Sequence, residues 1–295
     1  MSKEISIILP AKNEAAGLQQ ILPVLKDRFP NAEIIVVNDG STDDTATICE
    51  QHAVRIITHV YAMGNGAAIK TGARNAEGGI LVFMDADGQH DPDDIQRLLE
   101  MIHQGYDMVV GARQQDTHAS LTRRLGNGLY NRLASIMTGY PVLDLTSGFR
   151  AVRARHFLKF LYLLPNKFSY PTTSTMAFFR SGLSVGYVPI KAGTRDKDSK
   201  SHIRLFHDGL RFLVIILKIG ALFSPMRFFL PISAALFVAA LAYYGYTYTV
   251  WGRLTNMTAI LLLSSLSTFL IGIVSEQISA LHYKDIQETK RRTDR

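Results

Sequence analysis

The most chemically loaded stretch of this 295-residue chain is Met84-Asp85-Ala86-Asp87-Gly88-Gln89-His90-Asp91-Pro92. Two carboxylates two positions apart, at the end of the apolar run Ile80–Phe83, can converge on one hard cation. Magnesium or manganese favours such oxygen ligands and commonly bridges to substrate phosphates. A second cluster, Val36-Val37-Asn38-Asp39-Gly40-Ser41-Thr42-Asp43-Asp44-Thr45, places an acid directly after another apolar run. Asp39 can accept hydrogen bonds from a base or from ribose hydroxyls. A plain capped loop explains that cluster equally well. The third, Gly64-Asn65-Gly66-Ala67-Ala68-Ile69-Lys70-Thr71-Gly72, is a glycine-rich helix entrance. Ile69 replaces the third glycine of a dinucleotide fingerprint, and no Gly-Lys-Ser/Thr occurs, so neither standard phosphate loop is present. Close approach of a nucleotide to a helix start remains compatible with it.

The elements that must position these residues are legible as alternating patterns. Apolar runs at Ile5–Leu9, Glu33–Asn38, Val54–Thr58, Ile80–Asp85 and Met108–Gly111 read as buried strands. Helix-like stretches at Ala15–Arg28, Asp43–Gln51, Ala67–Asn75 and Asp93–Gln104 separate them. Ser41 with Asp44 has capping-box spacing, and Asp91-Pro92 reads as an N-cap before a first-turn proline. Such alternation predicts an α/β fold with a mostly parallel sheet covered on both faces. Ligands of these sheets bind at the carboxyl ends of the strands, where Asn13-Glu14, Asp39 and Asp85 fall. Ile5–Leu9 is too short for a signal peptide and opens directly onto Pro10-Ala11-Lys12-Asn13-Glu14.

The last third differs in kind. Phe228–Gly252 is 25 residues without a charge, and Leu254–Ser275 is 22 more. As helices they reach roughly 37 and 33 Å, enough for a hydrocarbon core of ~30 Å. The short turn between them predicts a hairpin with both outer ends on one side. Lys284, Lys290, Arg291, Arg292 and Arg295 follow it, while Arg204, Arg211 and Lys218 precede it. The positive-inside rule then places both flanks, both termini and the α/β domain in the cytoplasm, at the inner membrane. Arg204, Asp208, Arg211 and Lys218 form one polar stripe on an otherwise apolar 203–223, the pattern of an amphipathic helix in the membrane interface. Tyr243, Tyr244, Tyr246, Tyr248 and Trp251 read as an aromatic belt. Small residues such as Ser233, Ala234 and Gly272 suit helix association, and with it a homo-oligomer. The expected organisation is an α/β domain over 1–202, amphipathic segment 203–224, transmembrane hairpin 225–282 (spans about 228–251 and 255–277) and basic tail 283–295.

Charge and composition narrow the classes. Mean hydropathy sits just above zero and charged residues are only 19%, as a membrane segment requires. The formal net charge of +7 conceals a division: residues 1–112 carry 8 Lys/Arg against 16 Asp/Glu, and 113–295 carry 24 against 9. An acidic front and basic back exclude a uniform nucleic-acid coat. Cys49 is the sole cysteine, so neither an internal disulfide nor a cysteine-based zinc site exists. His52, His59 and His156 lack zinc spacing and read as ordinary surface or partly buried histidines.

Taken together, these motifs resemble the family 2 glycosyltransferases of the GT-A fold, and within them the dolichyl- and polyprenyl-phosphate hexose synthases. The likeness spans about residues 4–225. It rests on Pro10-Ala11-Lys12-Asn13-Glu14, Asn38-Asp39-Gly40-Ser41-Thr42-Asp43, the glycine stretch and Asp85-Ala86-Asp87-Gly88-Gln89-His90. It continues in Val110-Gly111-Ala112-Arg113, Asp144-Leu145-Thr146-Ser147-Gly148-Phe149-Arg150, and Arg195 with Ser199-Lys200, where Asp198 replaces the usual glycine. The resemblance implies a Rossmann-like catalytic domain and inverting transfer of a hexose from a UDP- or GDP-sugar to polyprenyl phosphate, with Mg²⁺ or Mn²⁺. By that likeness Pro10, Ala11, Asn13, Glu14, Val37, Asp39, Gly64, Gly66, Ala67, Asp85, Ala86 and Arg195 bind the nucleotide sugar. Asp85, Asp87 and Gln89 hold the metal. Ser147 and Ser199 fall to the acceptor phosphate.

Elementary chemistry is consistent with those assignments. A phosphate monoester is already ionised near neutral pH, so its transfer chemistry needs gathering cations more than a general base. Arg113, Arg123, Arg124, Arg195 and Lys200 are the candidates, arginine being suited to bidentate phosphate contacts. Asp144 is the expected catalytic carboxylate, orienting the acceptor or taking a residual proton; the structural alternative is an Asp that holds the following turn or pairs with Arg150. A processive polysaccharide synthase would carry Gln-x-x-Arg-Trp, whereas the only tryptophan, Trp251, follows Val250 inside a span. A non-catalytic nucleotide-sugar-binding scaffold would have no need of the intact acidic motif.

Overall fold

The computed structural model describes residues 4–113, 121–166, 169–190 and 224–293. The chain divides into two compact units, residues 1–136 with 140–200, and residues 137–139 with 201–295.

The first unit is built on a seven-stranded sheet: β1 (Ile5–Ala11), β2 (Glu33–Asn38), β3 (Arg55–Thr58), β4 (Ile80–Phe83), β5 (Met108–Arg113), β6 (Arg150–Arg153) and β7 (Val185–Ile190). Their order is β3-β2-β1-β4-β6-β5-β7. Every residue of β2 and β4 is buried, as expected of inner parallel strands covered on both faces. Helices α1 (Ala15–Arg28), α2 (Thr45–Gln51), α3 (Asn65–Asn75) and α4 (Asp93–His103) alternate with the first five strands. Leu18, Leu22 and Leu25 of α1 and Ile95, Leu98 and Ile102 of α4 are fully buried in the core. Each contributes about 1.5–3 kcal/mol on full burial. The unit is completed by α5 (Leu121–Thr138), the short α6 (Ala154–Phe157) and α7 (Tyr170–Arg180).

The sheet is parallel except at β6, which runs antiparallel to both β4 and β5. That reversal has a functional consequence. Arg150, the first residue of β6, lies opposite Phe83 near the end of β4 and Val110 on β5. The segment before it, 144–149, is therefore delivered to the same sheet edge as Asp85 and Arg113.

Several local expectations are revised. Pro10 and Ala11 belong to β1 rather than to the loop after it. The capping box at Ser41 does not form, because α2 starts only at Thr45. Ser41 Oγ instead accepts from the Asn13 amide (3.0 Å), and Asp43 carries the local turn by accepting from the amides of Ala15 and Thr45. Asp91 Oδ1 does accept from the Asp93 amide at 2.9 Å, but Pro92 occupies the cap position instead of the first turn.

The second unit contains helices α8 (Pro225–Trp251) and α9 (Asn256–Thr293), packed as an antiparallel hairpin. Both are long and apolar enough to cross a membrane. Only 11% and 17% of their most apolar windows are buried, so neither is a core helix. Leu230, Phe237, Val238, Leu263 and Leu270 project outward from them. Ser233 and Ser265 bond reciprocally, each hydroxyl donating to the other's carbonyl at 2.9 Å. A Cβ at Gly272 would meet Phe229 Cβ at 2.9 Å. Ser233 and Gly272, expected to serve association between copies, thus pack within the hairpin itself. The expected basic tail also begins as a continuation of α9, which runs through Thr293. The expected amphipathic segment 203–223 lies outside the described residues.

Candidate active site

A cavity of about 570 Å³ opens at the carboxyl ends of β2, β1 and β4. β1 contributes Pro10 and Ala11 and is followed by Lys12 and Glu14. Asp39 closes the β2 side, with Ala62, Gly64, Asn65 and Ala68 from the stretch that enters α3. Asp85, Ala86 and Asp87 close the β4 side. The arrangement follows from strand order: three consecutive parallel strands end side by side, so their polar extensions meet.

Asp39 is buried and fully engaged. His59 Nδ1 donates to its Oδ1 at 2.8 Å, the Met63 amide to Oδ1 at 2.7 Å, and the Gly64 amide to Oδ2 at 2.8 Å. Thr71 Oγ1 sits 2.9 Å from His59 Nε2 and fixes the ring. Burial alone would raise the Asp39 carboxyl, yet these donors hold it below its ordinary value of 3.8. Gly40 has φ +68°, and a Cβ there would lie 2.9 Å from the Ala62 amide, so the 61–64 stretch closes over the loop after β2.

The Asp85–Asp87 turn is framed from three sides. A Cβ on Gly17 of α1 would fall 2.1 Å from the Ala86 carbonyl, so α1 packs directly against the turn. Gly148 lies on the other side, where a Cβ would be 3.5 Å from Asp85 Oδ2. His90 stacks on Phe149 at 4.8 Å with its Nε2 3.7 Å from Asp85 Oδ2. Asp85 remains 41% exposed while the His90 side chain is 8% exposed. Asp87 Oδ1 accepts from the Gln89 amide at 3.1 Å. Gln89 Nε2 and His90 Nδ1 are buried without a hydrogen-bond partner among the described residues.

Asp144 and Arg113 are brought together across β5 and the loop before β6. Arg113 Nε donates to Asp144 Oδ2 at 2.9 Å and Nη2 to Oδ1 at 3.1 Å. The amides of Thr146 and Ser147 donate to the same carboxylate, each at 3.0 Å. Arg113 Nη2 also reaches Thr146 Oγ1 at 2.7 Å. Burial pushes Asp144 up, but the Arg113 guanidinium and these amides outweigh it and hold the carboxyl below 3.8. The same pair raises Arg113. Asp144 therefore holds the following turn, as the structural alternative has it, but pairs with Arg113; Arg150 has no carboxylate within ion-pairing distance among the described residues.

The other expected site residues are distributed as follows. Asn13, at φ +56°, braces the loop after β2 by accepting from the Thr42 amide at 2.8 Å. Val37 is buried within β2. Gly66 and Ala67 dock onto the 165–166 turn, where a Cβ on Gly66 would strike the Pro165 carbonyl and the Ala67 amide donates to the Asn166 carbonyl at 2.8 Å. Ser147 is buried, its hydroxyl without a partner among the described residues. Arg123 and Arg124 fall on α5 with side chains outside the described residues, as are Arg195, Ser199 and Lys200. Lys12, Asn65 and Ala68, which lie inside the quoted motifs without an assigned role, join the cavity together with Ala62, which lies outside them, and His59 is the partner of Asp39 rather than an ordinary histidine. The signal for His59 was its place one residue beyond a strand end, level with Asp39 in the adjacent strand.

Comparison with known proteins gives this geometry a context. The model of the GtrB C-terminal hairpin matches residues 224–281. "Uncharacterized protein MJ1222" of Methanocaldococcus jannaschii is 33% identical over 198 residues, covering 64% of this chain and 81% of that one. An undecaprenyl-phosphate 4-deoxy-4-formamido-L-arabinose transferase of Pectobacterium atrosepticum is 27% identical over 98% of this chain and 92% of its own. Among solved structures, glucosyl-3-phosphoglycerate synthase of Mycobacterium tuberculosis, in complex with Mn²⁺, UDP and glucosyl-3-phosphoglycerate, superposes with a TM-score of 0.57. It is 20% identical, and the match covers 73% of this chain and 78% of that one, a likeness of fold. The family model for glycosyl transferase family 2 matches residues 6–161, more than half of the chain, and this protein belongs to that family as a glycosyltransferase.

Proposed function

We propose that this protein is a membrane-anchored, metal-dependent, inverting transferase that moves a hexose from a UDP- or GDP-sugar onto polyprenyl phosphate. The observation that carries the reading is the single cavity joining Asp39 and Glu14 at one end to Asp85 and Asp87 at the other. A nucleoside diphosphate has this polarity: a hydrogen-bonding nucleoside, then phosphates that need a cation. The undecaprenyl phosphate named for the Pectobacterium relative and the apolar hairpin both support a lipid-borne acceptor.

The residues present fit a divalent cation. Among the described residues no cluster of three or more His, Cys, Asp or Glu forms a closed metal cage. Asp85 and Asp87 supply two carboxylates, and Gln89, with a buried amide nitrogen lacking a partner, stands beside them. Two carboxylates with the remaining positions left to substrate phosphates suit Mg²⁺ or Mn²⁺. Such an ion supplies charge neutralisation for the departing diphosphate.

The chain's own groups do the rest. Pro10, Ala11, Glu14 and Asp39 line the nucleoside end, and the Asp39 network fixes the Met63–Gly64 backbone there. Arg113, held in a bidentate grip by Asp144, presents a preset guanidinium for the acceptor phosphate. Asp144 orients that arginine; a carboxyl held below its ordinary value is a poor general base, and an ionised phosphate acceptor does not need one. Arg123, Arg195, Ser199 and Lys200 complete the phosphate contacts in this reading. The basic residues flanking the hairpin orient the catalytic unit and both termini toward the cytoplasm.

The test is a thermal-shift panel of nucleotides and nucleotide sugars with Mn²⁺ on the full-length protein in detergent, since a selective ligand stabilises the state it binds. One nucleotide series should raise Tm only when metal is present. No shift with any of them would sink the reading.

A further inference from the structure

Arg150 is the largest fully buried side chain among the described residues, and its environment is unusual for a charge. Its Nη1 donates to the Pro171 carbonyl (3.0 Å), Ser174 Oγ (2.8 Å) and Thr175 Oγ1 (3.0 Å), all in the first turns of α7. Nη2 donates to the Ser147 carbonyl, and Nε has no partner among the described residues. The guanidinium carbon lies 5.7 Å from the Tyr170 ring centroid. Every one of these partners is neutral. A buried cation with no counter-charge is costly, so its field is not spent locally and extends to the nearest anions.

Those anions belong to the candidate site. Tyr170, beside the guanidinium, donates its hydroxyl to the Gly148 carbonyl at 2.8 Å. A Cβ on Gly148 would lie 3.3 Å from that hydroxyl and 3.5 Å from Asp85 Oδ2, so only one glycine separates them. The intervening material, with Phe83, Phe149 and Tyr170 fully buried, is dry and screens weakly. Asp144 is already neutralised by Arg113, which leaves Asp85, one member of the open pair, as the carboxylate facing the unpaired charge across Gly148. Burial lowers Arg150 below the ordinary arginine value, and Asp144 and Asp85 are among the groups that oppose this.

We propose that Arg150 is a positioning residue: its unpaired buried charge keeps the Asp85–Asp87 pair weak toward a free divalent cation, so that cation and donor diphosphate are retained together. The inference rests on the metal-dependent reading above. It makes cation and diphosphate binding positively coupled, because the diphosphate supplies the negative charge that Arg150 offsets.

The experiment measures Mn²⁺ affinity of the full-length protein in detergent by electron paramagnetic resonance, with and without UDP. Without nucleotide, Arg150→Met should bind Mn²⁺ about tenfold more tightly than wild type, the size expected for one charge at this range in a protein interior. Ser174→Asp, which keeps the arginine and gives it a counter-ion, should tighten Mn²⁺ in the same direction. Arg150→Lys, which keeps the charge but loses the fork, should stay within about threefold of wild type. In both neutralising variants the gain in Mn²⁺ affinity caused by UDP should shrink. Weaker or unchanged Mn²⁺ binding in folded Ser174→Asp overturns the proposal, whether or not Arg150→Met folds. Tightening in Arg150→Lys overturns it too, by assigning the effect to geometry. Absence of Mn²⁺ binding in wild type, with or without UDP, would instead remove the metal-dependent reading and this inference with it.

Discussion

The two sides of the candidate site hold their carboxylates in opposite ways. On the β4 side, Asp85 is 41% exposed at the cavity with His90 Nε2 3.7 Å away, and Asp87 accepts one local amide. Asp39 and Asp144 are held in networks: the first takes three donors from His59, Met63 and Gly64, and the second is saturated by a bidentate arginine and two amides. The difference teaches which acid can take on a new partner. The open pair is available to an external cation, Asp39 keeps an acceptor site on Oδ2 for a nucleoside, and saturated Asp144 fixes its neighbours with no spare lone pair for proton transfer.

Substitutions should separate the two kinds of acid. The largest effect is expected at the open pair. Asp87→Asn should lower transferase turnover on the order of a thousandfold by removing transition-state charge stabilisation. Steady-state assays alongside a melting curve would check it, and a Tm close to wild type is part of the expectation. Gly17→Ala should come next, because its new Cβ, built 2.1 Å from the Ala86 carbonyl, must displace the turn. A shift of about 1 Å in a positioning element costs about a hundredfold in rate. A milder loss than Asp87→Asn with weakened Mn²⁺ binding would sharpen the assignment, and unchanged Mn²⁺ binding would break it.

At the networked acids the expected signature is different. Asp144→Asn should cost about 1–2 kcal/mol of stability, discounted because Arg113 is 41% exposed, and should lower activity about tenfold. The sign of its pH dependence is fixed by its depressed carboxyl. The stabilisation it gives is complete above 3.8 and is lost as pH falls through the lower folded value. Rate profiles between pH 5.5 and 8 should therefore show no limb that disappears in Asp144→Asn; such a limb would make Asp144 a titrating base. The smallest effect is expected in the hairpin, where Ser233→Ala removes the reciprocal bond with Ser265. About 0.6 kcal/mol is the usual scale of such bonds, visible as a small drop in Tm with turnover unchanged.

The same contrast marks what could be read from sequence. β1, β2, β4 and β5 are legible because inner strands are continuous apolar runs, the edge strand β3 by its Ile56-Ile57 pair, and the Asp85–Asp87 pair because its two acids are near neighbours along the chain. β6 is short, with arginine at both ends, and β7 contains Gly186 and Pro189, so neither resembles a buried strand. α7 is concealed by its Thr-Thr-Ser-Thr run, which reads as a loop. In the fold Thr173, Ser174 and Thr175 are buried, each hydroxyl bonding back to a carbonyl three or four residues earlier. Asp39 and Asp144 are recognisable in the sequence as residues and not as networks. His59 lies 20 positions from Asp39 and Arg113 lies 31 from Asp144, distances that only strand order closes.

Sugar transfer to a lipid phosphate through the open carboxylate pair leaves a lipid-linked product. The most direct measurement is mass spectrometry of lipids after incubating full-length protein in nanodiscs with undecaprenyl phosphate, Mn²⁺ and each of a panel of UDP- and GDP-sugars. A polyprenyl-phosphate hexose should form from at least one donor and be lost on chelation of the metal and in Asp87→Asn. A lipid product formed equally by Asp87→Asn, or none from any donor with folded, nucleotide-binding protein, would contradict transfer through that pair.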